Sequence, residues 1–156
     1  MTRDQQLAAA CAAEGLDPNE ALQIGGQYVP LLQHGQELHI SGQIPRVGSE
    51  VVVCGRVGEA CSEAAAQRAA RIACLRALVL LYQHLGSLDR VARILRLNVY
   101  VQSAADFTRQ SEVANGASAL LYQLLGEAGV HVRTSVGVYQ LPKNAAVELD
   151  MVAIAV

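Results

Sequence analysis

The sequence predicts an α+β fold, in which two helices pack on one face of a mixed sheet. Apolar residues recur at three- and four-residue steps over residues 59–86, which is the period of an amphipathic helix. Residues 94–101 instead alternate from one side to the other, which is the period of a strand. The predicted order of strands, helix, strand, helix, strand, strand is typical of α+β domains.

The N-terminal part of the chain predicts one short helix and a hairpin. Residues 4–14 form the helix, with Asp4 as a plausible cap and Gly15 ending it. Residues 27–45 form the hairpin, because two short apolar runs flank the polar turn QHGQ. Residues 49–58 are expected to form a further short strand that ends in glycines.

The rest of the chain predicts two longer helices and three strands. Residues 59–86 form the first of these helices. Residues 87–103 begin with a short capped turn and continue as a strand, and residues 103–129 are a loop leading into the second helix. Residues 132–138 and 145–156 are expected to be strands connected by QLPKN.

Composition predicts a single domain that associates with itself. The chain has 156 residues, of which 52% are hydrophobic and only 17% are charged, and typical domains carry about 25% charged residues. Three central strands have apolar residues at both odd and even positions, so both faces of the sheet need cover. Helices cover one face, and a second copy of the chain would cover the other.

Charge and residue usage argue against several classes of protein. The net charge is −2 and aromatic residues make up 4%, which disfavours a nucleic-acid partner. No apolar run is long enough for a membrane span and no signal peptide is recognisable, so we expect a soluble, cytoplasmic protein. The four cysteines and four histidines lack metal-ligand spacing, so we expect reduced thiols and no metal site.

Three motifs then resemble one known family. They are SGQIP at residues 41–45, VYVQSAADF at 99–107 and RTSVGVYQLPKNAAVELDMVAIAV at 133–156. From about residue 22 onward the chain resembles the Rid superfamily (RidA/YjgF, formerly endoribonuclease L-PSP). The VANGAS stretch at 113–118 and the long N-terminal lead indicate a divergent subgroup.

The resemblance implies a fold and an assembly. The family fold is chorismate-mutase-like, and it forms a homotrimer with a central barrel and clefts between subunits. On this reading residues 1–20 are an N-terminal helical extension and residues 21–156 are a single RidA/YjgF-like domain. The self-association inferred from the apolar sheet agrees with such a trimer.

The resemblance also implies an activity and two principal residues. Archetypal members hydrolyse reactive 2-imino acids to 2-keto acids and ammonia without a cofactor. Arg133 matches the family's clamp for the substrate carboxylate, a task that suits the planar guanidinium fork. Glu148 matches the acid that orients the attacking water. Otherwise Arg133 is a strand-edge surface charge, and Glu148 with Asp150 is an outward polar stripe.

Five further residues match the family pocket. Tyr28 matches a tyrosine that closes the cleft and donates its hydroxyl. Ser41 offers a hydroxyl, and Gly42 permits close approach of the backbone to a ligand. Asn115 matches a pocket asparagine on the second helix. Ser135 stands where the archetype has a cysteine, so activity that depends on that thiol would be lost.

Three functions stay open from the sequence. The first is a hydrolytic deaminase of 2-imino acids or a related small imine. The second is a trimer that binds a small carboxylate without turnover, and the third is RNA cleavage. Glu148 favours the hydrolase, because a pure carboxylate binder gains nothing from another negative charge nearby. The net charge of −2 argues against RNA cleavage.

Overall fold

A five-stranded mixed sheet forms the centre of the protein, in a computed structural model that describes residues 1–156. The helices are α1 (Arg3–Ala13), α2 (Glu63–Leu85) and α3 (Gln110–Leu125). The strands are β1 (Leu31–His34), β2 (Glu37–Gln43), β3 (Arg46–Val47), β4 (Glu50–Val51), β5 (Val91–Gln102), β6 (Val132–Val138) and β7 (Val147–Ala155). This is the predicted α+β class.

The strand order in the sheet is β1-β2-β7-β5-β6. Strands β5 and β6 are parallel and are connected through α3, whereas all other neighbours are antiparallel. The two C-terminal strands are therefore not neighbours, because β5 lies between β6 and β7. The segment QLPKN crosses the end of β5 instead of turning β6 directly onto β7.

The helices cover one face of the sheet and bury one continuous core. Fourteen residues of α2 are buried, all but Arg76 of them apolar. On β7 every second residue, from Val147 to Ala155, is buried, and the residues between them are partly exposed. This alternation shows that the odd-numbered residues of β7 face the helices and the even-numbered ones face the opposite side.

The opposite face of the sheet is only partly polar. It exposes apolar side chains on its edge strands, including Leu32, Val132 and Val136, which are 62%, 57% and 42% exposed. Val132 and Val136 lie on the same side of edge strand β6, and Leu32 lies on the opposite edge strand. The uncovered face is therefore consistent with the self-association expected from composition.

Three local predictions were wrong. Thr2, not Asp4, caps α1, where it forms a capping box with Gln5; the Asp4 carboxylate instead accepts a hydrogen bond from the backbone of Leu88. Residues 49–58 are mostly loop, and only β4 forms there. Helix α2 begins at Glu63, because the Ser62 side chain caps it.

The predicted N-terminal extension packs against the same core. Leu7 and Cys11 of α1 are fully buried within the one hydrophobic cluster that includes α2 and α3. The division of the chain after residue 20 stays a prediction. None of the helices is long and apolar enough to cross a lipid bilayer.

Candidate functional site

A deep cleft lies where β1 ends and leaves the outer edge of β2 open. It has a volume of about 550 Å³ and is covered by the segment from Leu22 to Pro30. At this point β2 contains a bulge, since Ile40 pairs with Met151 and Gln43 pairs with Leu149. Two residues of β2 therefore oppose one residue of β7, a device that often re-aims side chains near functional sites.

The bulge turns Ser41 and Gly42 toward the side of β7 that carries Glu148 and Asp150. A Cβ atom added to Gly42 would overlap Oε1 of Glu148 and lie 3.0 Å from its Cδ. Only glycine leaves room for the Glu148 carboxylate in this position. Ser41 donates its hydroxyl to the carbonyl of Val29 at 2.8 Å, which ties the bulge to the covering segment.

Glu148 is a half-buried carboxylate with no ion-pair partner. Burial raises its pKa, and the nearby charge of Asp150 raises it further. Asp150 itself is held in place by two hydrogen bonds, from Asn98 at 2.8 Å and from the hydroxyl of Tyr100 at 3.0 Å. Glu148 is thus the carboxylate of the pair that is left to interact with a ligand or a water molecule, and its raised pKa makes it a better proton acceptor.

Two arginines line the same cleft, and the sequence reading did not select either. Arg46 and Arg76 are only 7% and 4% exposed. Arg76 donates to Gln43 Oε1 at 3.2 Å and to the carbonyls of Arg46 and Gln23 at 2.9 and 3.2 Å. Burial lowers the pKa of Arg76 to about 10, and the neighbouring Arg46 acts in the same direction. No acidic residue forms an ion pair with either.

The turn before β7 brings Pro142 and Lys143 to the cleft. Lys143 and Asn144 have φ values of 59° and 57°, which non-glycine residues adopt at some cost. The buried side chain of Gln102 holds the turn, because it donates to Asn144 Oδ1 at 2.7 Å and accepts from the backbone of Leu141 at 2.7 Å. The conformation of this wall is therefore fixed from the core.

Arg133 lies outside this cleft, on the edge strand β6. It is bound to α3, since Nη1 donates to Asn115 Oδ1 at 2.9 Å and to Ser118 Oγ at 3.0 Å. Its Nη2 donates to the carbonyl of Ser111 at 3.2 Å and to the hydroxyl of Ser111 at 2.8 Å. Ser135 follows on the same side of β6.

Within one chain, the predicted site residues therefore lie in two separate places. Tyr28, Ser41, Gly42 and Glu148 line the cleft. Arg133, Asn115 and Ser135 lie at the other edge of the sheet, and Arg133 faces α3 whereas Glu148 faces away from the helices. Since β5 lies between β6 and β7, a single chain does not bring Arg133 to Glu148. Their joint role stays a prediction.

The residues that sequence reasoning missed had usable signals. Arg76 lies in RIACLRALVLL, an otherwise apolar stretch of α2. A charge within a helix that is apolar all round is rarely buried without a reason. Arg46 directly follows SGQIP and could have been included with that motif. Asp150 was recognised only as part of a polar stripe. The alternation of side chains along a single strand gives no information about its partners Asn98 and Tyr100 on the neighbouring strand.

Comparison with known proteins adds sequence relatives and structural neighbours. A family described as "YjgF/chorismate_mutase-like, putative endoribonuclease" matches residues 8–154. Protein TCP17 of Trypanosoma cruzi is 44% identical over 124 residues, which cover 79% of this chain and 78% of that protein.

Solved structures show the same fold. The protein Atu1372 of Agrobacterium tumefaciens is 34% identical, covers 98% of this chain and 94% of its own, and superimposes with a TM-score of 0.86. A protein of Shewanella oneidensis titled "putative endoribonuclease" is 29% identical, covers 99% of both chains and gives a TM-score of 0.89. TdcF of E. coli with bound serine is 20% identical, covers 85% of this chain and 91% of its own, and gives a TM-score of 0.62.

The family match includes α2, α3, six complete strands and most of β7, and the relative from T. cruzi exceeds 40% identity over most of the chain. The chain therefore belongs to the YjgF/chorismate mutase-like family, the Rid superfamily that its sequence motifs indicated.

Proposed function

We propose that the protein is a hydrolytic deaminase that converts reactive 2-imino acids, or a related small imine, to the keto compound and ammonia. The observation that carries this proposal is the environment of Glu148. Its carboxylate is half buried, lies against the bare backbone of Gly42 and faces an open cleft, and its pKa is raised by burial and by Asp150. A carboxylate in this state suits the activation of a water molecule.

The proposed reaction needs only water and the imine. Glu148 accepts a proton as the water oxygen bonds to the imine carbon, and the electron pair of the C=N bond moves to nitrogen. The resulting carbinolamine takes up the proton on nitrogen. As the C–N bond breaks, Glu148 transfers the hydroxyl proton to the nitrogen, so that ammonia leaves and the carbonyl forms. Each step conserves atoms and charge without a metal or an organic cofactor.

The proposal includes a homotrimer whose clefts join two copies of the chain. One copy supplies Glu148, Gly42, Ser41 and Tyr28, and the neighbouring copy supplies Arg133 with its α3 partner Asn115. The exposed apolar side chains on the uncovered sheet face support such an interface. In this arrangement Arg133, already oriented by four hydrogen bonds to α3, presents its guanidinium to the substrate carboxylate.

The same cleft could hold a small acid without turning it over. The structure of E. coli TdcF with bound serine shows that a protein of this fold holds a small amino acid. The hydrolase is preferred here because hydrolysis needs an acceptor such as Glu148 for the proton of the attacking water, whereas binding of an acid alone gains nothing from that negative charge. RNA cleavage, which the names of several relatives suggest, has no support from the cleft's two buried arginines, because neither is open to a long polyanion at the surface.

The test is the hydrolysis of 2-iminobutyrate generated in situ, with the release of 2-oxobutyrate measured against the spontaneous rate. The wild-type protein should accelerate the release, and Glu148→Gln should lose about 10²-fold or more of that acceleration. Glu127→Gln, at an exposed residue far from the cleft, is the matched control and should keep it. No acceleration by the wild-type protein would reject the proposed activity for this imine.

A further inference from the structure

The cleft contains two buried cations that the proposed reaction does not use. Arg46 and Arg76 together bring two guanidinium groups into a site where neither has an acidic partner. Removing such charges from water is costly, and buried arginines are normally paired with carboxylates. The two groups also repel each other, which contributes to the lowered pKa of Arg76.

Arg76 has a structural role in this pair. Three of its five N–H groups donate to neutral acceptors, and one of these is the backbone carbonyl of Arg46 itself. Arg76 therefore holds the β3 backbone at the point where the Arg46 side chain leaves it. Its position in the middle of α2 makes this support rigid.

Arg46 differs, because its guanidinium forms no hydrogen bond with any protein group. The structure contains no buried side-chain nitrogen or oxygen that lacks a partner. Since Arg46 is 93% buried as a residue and lines the cleft, its free N–H groups open into the cleft itself. A fork of N–H donors on a largely buried side chain, unpartnered within the protein and open to a cleft, is an arrangement that a planar anion can complete.

The cleft thus has charges of opposite sign that do not neutralise each other. Glu148 and Asp150 lie beside the bulge of β2, and Arg46 and Arg76 lie beyond its end, toward α2. No ion pair joins the two groups. A ligand that reaches from one group to the other would have its reacting carbon near Glu148 and an anionic group at Arg46.

We propose that Arg46, supported by Arg76, is a second carboxylate-binding subsite, so that the substrate is a 2-imino acid whose side chain ends in a carboxylate. This inference rests on the proposed function, in which Arg133 of a neighbouring copy binds the first carboxylate. A volume of about 550 Å³ leaves room for the longer, doubly charged acid.

The test measures binding of stable 2-keto acids, so it does not depend on turnover. Isothermal titration at constant ionic strength compares 2-oxoglutarate, which has a side-chain carboxylate, with 2-oxobutyrate, which lacks one. The wild-type protein should bind 2-oxoglutarate about tenfold more tightly or better, as expected for a charge-assisted bidentate contact. Arg46→Gln should abolish this preference. Arg71→Gln, on the same helix as Arg76 but outside the cleft, changes the net charge equally and should keep it.

Arg46→Gln removes no hydrogen bond or ion pair within the chain, because the Arg46 guanidinium makes none, and thermal unfolding of the variant checks that the change to the buried side chain leaves the fold intact. Equal affinity of the wild-type protein for both acids, or no binding of either, would overturn the subsite. So would a preference that survives in Arg46→Gln. If inorganic phosphate binds as tightly as 2-oxoglutarate and loses that affinity in Arg46→Gln, the assignment to a side-chain carboxylate is wrong. Failure of the proposed function would instead appear as absent imine hydrolysis, whichever acid binds.

Discussion

Replacement of Gly42 by alanine should displace the Glu148 carboxylate without removing it, so it tests whether the position of this group matters for activity. The new Cβ would overlap Oε1 of Glu148 and lie 3.0 and 3.4 Å from its Cδ and Cγ. Because non-bonded heavy atoms pack best at about 3.5–4.0 Å, the carboxylate has to move by roughly 1 Å. The obstructing atoms are the end of a flexible side chain, so the fold can accommodate the methyl group at little cost.

The expected result is a large loss of activity with a small loss of stability. A misplacement of about 1 Å in a group that orients a reactant can lower the rate about 10²-fold. The assay measures keto-acid release from 2-iminobutyrate by Gly42→Ala, together with thermal unfolding followed by circular dichroism. Gly25→Ala provides a comparison in the same cleft, since its Cβ would lie 3.9 Å from the Tyr28 hydroxyl, an ordinary contact.

A double-mutant cycle shows whether the effect passes through Glu148. If Gly42→Ala acts only by displacing that carboxylate, it should cost little further activity in a protein that already carries Glu148→Gln. Full activity of Gly42→Ala, or equal losses in both backgrounds, would refute the placement of Glu148 as the group that orients water.

Three other predictions concern stability and reactivity. Gly116→Ala should lower the free energy of unfolding by about 1–3 kcal/mol in urea titrations, because its Cβ would overlap the backbone carbonyl of Gln67 where α2 and α3 meet; a stabilising effect, as at an exposed helical glycine, would contradict this packing. Glu148→Gln should raise the melting temperature at pH 7, because a carboxyl whose pKa is raised by folding destabilises the protein when ionised; the difference from wild type should vanish below about pH 4, where both states hold the proton. In native protein at pH 8 a thiol reagent should modify the exposed Cys54 but not Cys74, whose pKa burial raises to about 12; rapid modification of Cys74 would contradict its burial.

Much of the fold could be predicted from the sequence, because the spacing of apolar residues indicates whether a segment is a helix or a strand. Apolar residues recur every three or four positions in α2 and every second position in β5, because each element buries one face. Both were therefore predicted correctly, α2 as a helix and β5 as a strand. Residues 49–58 were misread because SEVVVCGRVG has strand-forming residues but no strand partner along most of its length. Partner strands are distant in sequence, and local propensity does not report them.

The site was harder to predict because its geometry depends on topology. Motifs identified Tyr28, Ser41, Gly42 and Glu148, which do share a cleft. Arg133 seemed close to Glu148 because only fourteen residues separate them in the sequence, yet β5 is inserted between their strands. Strand β5 pairs with both β6 and β7, and the number of residues between Arg133 and Glu148 gives no information about that pairing.

The buried arginines were missed for a related reason. The contact between Arg76 in α2 and the backbone of Arg46 spans thirty positions of sequence, and neither residue belongs to a periodic pattern. Only the apolar surroundings of Arg76 hinted at a special role.

The central claim is that two copies of the chain build each reactive cleft, one with Glu148 and the other with Arg133. The most direct measurement mixes two variants that we expect to be inactive when assayed separately, Glu148→Gln and Arg133→Lys, by co-expression or by joint refolding, and assays hydrolysis of 2-iminobutyrate. Clefts that combine the intact Glu148 of one copy with the intact Arg133 of the next should restore about a quarter of the wild-type activity at equal mixing. If the mixed protein stays as inactive as the separate variants, the two residues do not act across an interface, and the proposed cleft is wrong.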